Sequence, residues 1–269
     1  MKGQIYKELV LVAVSGVLLT GCAISPPPSG VPITSASQPP VGTPMASASP
    51  PPISTPIASG SNPGSDWQEE FDISGCTMAS TGNNRYFILE PGFQLVLEGG
   101  SEVLVITVLD ETVEVDGIQT RVVEERESKN GEIIEVSRNL FAICEQTRDV
   151  YYFGEEVDMY QAGQLASHSG AWRSGEANAK FGLIMPGNPA VGMKYYQEIA
   201  PGVAMDRAEI ASLGETFSTP AGEFSNSLKT KEGTALNPLE VEYKTYAPGI
   251  GLIQDEKLLL TEHGFVNSE

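Results

Sequence analysis

Histidine, cysteine and basic side chains are scarce in this chain, and each shortage closes off a class of chemistry. Its 269 residues hold two histidines, three cysteines, and 16 Lys and Arg against 35 Asp and Glu. Zinc sites need clustered Cys and His, and no such cluster occurs. No Cys-x-x-Cys is present, so dithiol redox catalysis has no support. The net charge of −19 repels nucleic acid and anionic headgroups, and neither a basic patch, a Gly-x-Gly-x-x-Gly nor a P-loop appears. The serine-nucleophile signatures Gly-x-Ser-x-Gly and Ser-x-x-Lys are missing as well. No apolar run reaches the ~20 residues of a membrane-spanning helix. No metal, cofactor or nucleic-acid partner is therefore expected.

What is present begins at the N-terminus. Lys2 and Lys7 form a basic start, and Leu9 to Leu19 is an apolar run of signal-peptide length. Leu19-Thr20-Gly21-Cys22 closes it and resembles the lipobox of bacterial lipoproteins. That resemblance implies diacylglycerol on the Cys22 sulfur, cleavage between Gly21 and Cys22, and acylation of the new amino group. It places the protein at the cell membrane or the outer membrane, lipid-anchored, with its domain on the extracytoplasmic side. Two or more acyl chains anchor stably where one is marginal.

Residues 23–65 contain no charged and no aromatic residue, and runs such as Pro26-Pro27-Pro28 and Pro50-Pro51-Pro52 punctuate them. Such a segment cannot bury enough apolar surface to offset its ordering entropy, and its prolines favour an extended spacer. The expected organisation is a leader at 1–21, the lipidated Cys22 and a disordered Pro/Ser-rich tether at 22–65, and an acidic β-domain at 66–269. Losing Lys2, Lys7 and Glu8 with the leader takes the net charge from −19 to −20, all of it on that domain. With Cys22 committed to lipid, Cys76 and Cys144 remain in an oxidising compartment and are the disulfide candidates, two buried thiols being the alternative.

From Asp66 onward short β-branched and aromatic runs alternate with turn residues. Arg85–Glu90, Phe93–Glu98 and Glu102–Leu109 read as strands, and the rhythm continues to the C-terminus. The fold class is all-β: an antiparallel sheet, a sandwich or an open half-barrel. Asp206–Leu213 is the best short helix candidate. Asn130-Gly131 signals a type I′ hairpin that sets Lys129 against Glu132, Arg126 against Glu135 and Arg121 against Leu140. Asp116-Gly117 makes a second hairpin, and the charges on these strands read as one solvated face.

Thr219-Pro220-Ala221-Gly222-Glu223-Phe224 and Tyr246-Ala247-Pro248-Gly249-Ile250-Gly251 resemble turns that recur in an exported bacterial all-β domain, often lipid-anchored, that includes the TapB-type proteins. In that family the second turn joins the last two strands. The resemblance implies a fold and no mechanism.

Candidate site residues are few. Aromatics crowd 150–196, where they read as core or as the lining of a groove or half-barrel cavity; Trp172, Tyr195 and Tyr196 are the candidate ligand contacts. His168, between Ser167 and Ser169, invites a hydrolase reading but has no acidic partner placed by motif, and His263 has none either. Glu155-Glu156-x-Asp158 and Asp255-Glu256 read as solvated surface rather than cation ligands. The function expected is a non-enzymatic, lipid-anchored envelope protein that offers a protein partner or an apolar ligand a β-scaffold. The alternatives are an extracytoplasmic hydrolase and a purely structural component.

Overall fold

Strand segments, turn residues and a few close backbone approaches are enough to roll most of this domain into a barrel. A computed structural model describes residues 67–266. The leader, Cys22 and the tether of residues 22–65 lie outside the described residues. The domain enters through β1 (Met78–Ala79), β2 (Gly82–Asn84) and β3 (Phe87–Leu89). Long strands follow: β4 (Phe93–Gly99), β5 (Glu102–Val115), β6 (Ile118–Lys129), β7 (Glu132–Cys144) and β8 (Val150–Gln161). Five short ones come next: β9 (Gln164–Ser167), β10 (Trp172–Arg173), β11 (Lys180–Met185), β12 (Lys194–Tyr196) and β13 (Glu198–Ile199). The chain ends with β14 (Asp206–Thr219), β15 (Gly222–Thr234), β16 (Asn237–Ala247), β17 (Gly251–Asp255) and β18 (Leu258–Phe265). No helix occurs among the described residues.

The main sheet runs β12-β14-β15-β16-β17-β18-β4-β5-β6-β7-β8-β11-β13 with antiparallel neighbours throughout. Its two ends, β12 and β13, are separated in sequence by Gln197 alone. The sheet therefore curls into a nearly closed barrel, which removes most of the unpaired edge that an open sheet would expose. At the closure Gly182 of β11 lies against the backbone of Tyr196 and Gln197, and a Cβ there would clash with their carbonyl oxygens. Only glycine permits that approach.

The β2–β3 hairpin plugs one end of the barrel. Asn84 Nδ2 donates to the carbonyls of Arg148 (2.8 Å) and Pro186 (3.0 Å), and the Tyr86 hydroxyl donates to the Asn226 carbonyl at 2.9 Å. Phe87 stacks edge-on against Phe141 of β7, ring centres 5.1 Å apart. A disulfide joins Cys76 to Cys144, with 5.2 Å between Cα atoms, and ties the chain entering the plug to the end of β7.

Local chemistry explains the hairpins. Asn130 and Gly131, and likewise Asp116 and Gly117, all have positive φ, as a type I′ turn requires. Lys129 stands opposite Glu132, the pairing expected from sequence. Beyond it the register departs from the sequence reading. A bulge at Ile134 sets Glu127, not Arg126, opposite Glu135, and Arg121 opposite Phe141 rather than Leu140. Charge pairing had favoured the other register, but one extra residue on β7 shifts every later pair. The charges do not form one solvated face: Glu124, Arg126 and Arg138 pair with one another on one side, whereas Glu125 faces inward.

Asp206–Leu213 is strand, the first part of β14, and not a helix. Its residues have fair helical propensity, but β12 and β15 hydrogen-bond it on both sides, and Ala208 and Ile210 are wholly buried. Tertiary pairing overrides the local preference. The Pro220-Ala221 loop joins β14 to β15, and the second family-like turn joins β16 to β17, so a further strand, β18, follows it.

Candidate functional site

The interior of the barrel is layered. Reading the inward-facing positions away from the plug, apolar residues give way to acidic ones along several strands at once. On β6 Val123 is followed by Glu125 and Glu127, on β15 Leu228 by Thr230 and Glu232, and on β16, read backwards, Tyr246 by Lys244. On β17 Leu252 precedes Asp255. The pleat puts alternate residues on one face, so each strand contributes its own inward set.

A cavity of about 110 Å³ lies where the layers meet. Toward the plug its wall is apolar, with Phe87, Ile88, Phe93, Leu95, Phe141 and Ile184. Away from the plug it is Glu125, Gln197, Glu232, Lys244 and Asp255, with Tyr246 at the boundary. This pairing of a greasy wall with a few convergent polar groups is what small-molecule sites look like.

The polar end has one cation for three carboxylates. Lys244 Nζ lies 3.4 Å from Asp255 Oδ2 and 3.7 Å from Glu232 Oε2. Asp255 beside it, more than burial opposes, holds the ammonium charged well above the usual lysine range. Glu232 also accepts from Thr230 Oγ1 at 2.6 Å and from the Tyr246 hydroxyl at 3.4 Å. Burial nevertheless pushes the Glu232 carboxyl up, Lys244 opposing. Glu125 is treated less generously. No described residue donates a hydrogen bond to it, and burial, only partly offset by Lys244, raises its pKa to about 7. Nearby on β8, burial and then Glu135 raise Glu155 to about 8. Glu198, buried in the closure and next to Asp206, is also pushed well up. Two like-charge pairs stand directly opposite one another at this end, Glu127 with Glu135 and Glu232 with Glu242.

The three aromatics singled out from sequence are not on the cavity wall. Trp172 stacks edge-on against Tyr152, ring centres 5.1 Å apart, and its buried indole N–H has no partner. Tyr195 is wholly buried opposite Ala208 at the closure, its hydroxyl also unpartnered. Tyr196 packs against Trp67, over which the Arg207 guanidinium sits at 4.7 Å. The lining aromatics come instead from the plug, β4, β7 and β16, at positions whose inward facing no local pattern announces.

His168 has a carboxylate partner that its sequence neighbourhood did not reveal. Its Nδ1 lies 2.8 Å from Asp158 Oδ1 and 2.9 Å from the Val157 carbonyl, beside an open groove of about 400 Å³ that Arg138 and Glu156 also line. The imidazole is largely exposed, and among the described residues no hydroxyl is bonded to it. A base oriented by a carboxylate is therefore in place, but a nucleophile within its reach is not. His263 of β18 is exposed, packs against Phe224 and pairs with Leu95 of β4. Of the acidic runs, Glu156 pairs with Arg173 and Asp255 with Lys244, and no group of three metal-ligating side chains is assembled among the described residues.

The chain matches no protein family, no curated protein and no solved structure.

Proposed function

We propose that this protein is a lipid-anchored component of a bacterial cell envelope, and that its barrel binds a small apolar molecule, or the apolar part of a larger one, in the interior cavity. The observation that carries the binding half is the 110 Å³ space bounded by Phe87, Phe93, Phe141 and Ile184 on one side and five polar residues on the other. A cavity somewhat larger than this, engineered into a small protein, takes up benzene, so the volume suits a six-membered ring or a short alkyl chain. The addressing half rests on the lipobox-like Leu19-Thr20-Gly21-Cys22 and the charge-free tether behind it.

Two experiments test the two halves separately. Cys22→Ala should move the protein from the membrane fraction to the soluble fraction; retention in the membrane would refute the anchor. Toluene added to the soluble Cys22→Ala chain should raise its Tm in a concentration-dependent way, because a ligand that binds only the folded state stabilises it. Ile106→Phe, which fills the cavity from β5, should abolish that rise. A Tm unmoved by any apolar probe would refute the binding half.

A further inference from the structure

The charge around the cavity selects among apolar ligands. A fatty acid or another anion would need a free cation to meet it. Lys244 is the basic residue on the cavity wall, and it already bridges Glu232 and Asp255. An anion arriving there would face three wall carboxylates for that one ammonium. A metal ion fits no better, since no three ligating side chains converge among the described residues.

Glu125 points the other way. It lines the cavity, lies inside the barrel wall, and accepts no hydrogen bond from any described donor. Glu125 is half-buried, and a carboxylate so placed without a protein donor is stabilised when it is either protonated or met by a charged donor. Within the cavity, a ligand can supply that donor. The groups facing Glu125 are Glu127 on its own strand, Glu135 on β7, Tyr152 and Glu155 on β8, Lys244 on β16 and Asp255 on β17. All but one of the ionisable partners are acids, so the field at the carboxylate favours a positive visitor.

We infer that the cavity is specific for a small organic cation, a protonated amine whose nitrogen takes the Glu125 carboxylate and whose apolar body lies among Phe87, Phe93 and Phe141. This rests on the apolar-cavity reading above and sharpens it by naming the head group. The amine arrives protonated and stays so. The proton that Glu125 carries at acidic pH is released to solvent on binding, and no bond other than that O–H breaks.

The test compares three probes of equal size and different charge on the full chain carrying Cys22→Ala: benzylammonium, benzyl alcohol and benzoate, titrated calorimetrically at pH 6 and pH 8. At pH 8 benzylammonium should bind about tenfold or more tightly than benzyl alcohol, the margin of a charge-assisted hydrogen bond. Benzoate should be the weakest of the three. Because Glu125 titrates at about 7, benzylammonium affinity should rise about tenfold from pH 6 to pH 8, with proton release at the lower pH. The affinity for benzyl alcohol should not rise with it. Glu125→Gln should remove both the cation preference and the pH dependence while its Tm at pH 8 stays at or above that of the parent. Glu125→Asp, which keeps the charge, should retain the preference. Benzyl alcohol or benzoate binding as tightly as benzylammonium would overturn the inference and leave the apolar cavity standing. Silence from all three probes would overturn both.

Discussion

The two halves of the barrel interior are built on the same strands and hold their residues by opposite means. Near the plug, Val123 of β6, Phe141 of β7 and Leu228 of β15 are almost fully buried, and burial of apolar surface stabilises each. Further along β6 and β15, Glu125 and Glu232, and on the neighbouring β8 and β13, Glu155 and Glu198, are carboxyls that burial drives toward the neutral form. The first half supports the fold, and the second is tolerated by it. A protein that needed only a stable barrel would have continued the apolar layer. The acidic half lowers stability, and it forms the polar wall of the cavity for which binding is proposed.

The comparison can be broken from either side. Phe141→Ala, in the apolar half, should cost about 3–5 kcal/mol, measured by chemical denaturation at constant pH, and should remove toluene binding. The disulfide fastens the plug to that half, across a separation of 68 residues. Replacing Cys76 and Cys144 together by Ser should cost about 2–5 kcal/mol and loosen the plug, seen as faster amide exchange at Asn84–Leu89.

The acidic half should behave in the opposite sense. Carboxyls whose folded pKa is raised lend stability that is complete below the ordinary carboxylate range and is lost as pH rises through their folded pKa values. For Glu125 and Glu155 those values are about 7 and about 8. The Tm should therefore fall steadily from pH 5 to pH 8, and Glu125→Gln should flatten the fall and gain on the order of 1–3 kcal/mol at pH 8. A Tm that climbs over this range would place these carboxyls in water. Glu102, held below its ordinary range chiefly by Lys257 and also by Lys129, acts only in acid and does not disturb that window. The smallest effect is expected outside the barrel: Asp158→Asn beside His168 should change stability by less than about 1 kcal/mol, as exposed ion pairs do. A larger loss, or loss of an activity on ester substrates, would reopen the groove as a site.

Much of this was legible in the chain before its fold. The strand rhythm, the Asn130-Gly131 and Asp116-Gly117 turns and the first hairpin pair are local, because a turn's φ values and the pleat's alternation are properties of a few consecutive residues. Glu125 was not legible as a site residue. Its strand, with Glu124, Glu125, Arg126 and Glu127 in succession, presents acids to both faces, and nothing local says which face is inside. Trp172, Tyr195 and Tyr196 lie off the cavity wall for the converse reason: aromatic content is visible in sequence, whereas the wall a ring packs against is not.

By itself, then, the sequence determined a β-rich, strongly acidic domain, because composition, strand propensity and turn chemistry act over short range. Tertiary structure decided which acids went inside. The bulge at Ile134, the meeting of β12 and β13 at Gln197, and the plug that Asn84 pins in place are long-range events. Together they turned an ordinary run of surface-like charges into the wall of a cavity, since a strand has two faces and only its neighbours can choose between them.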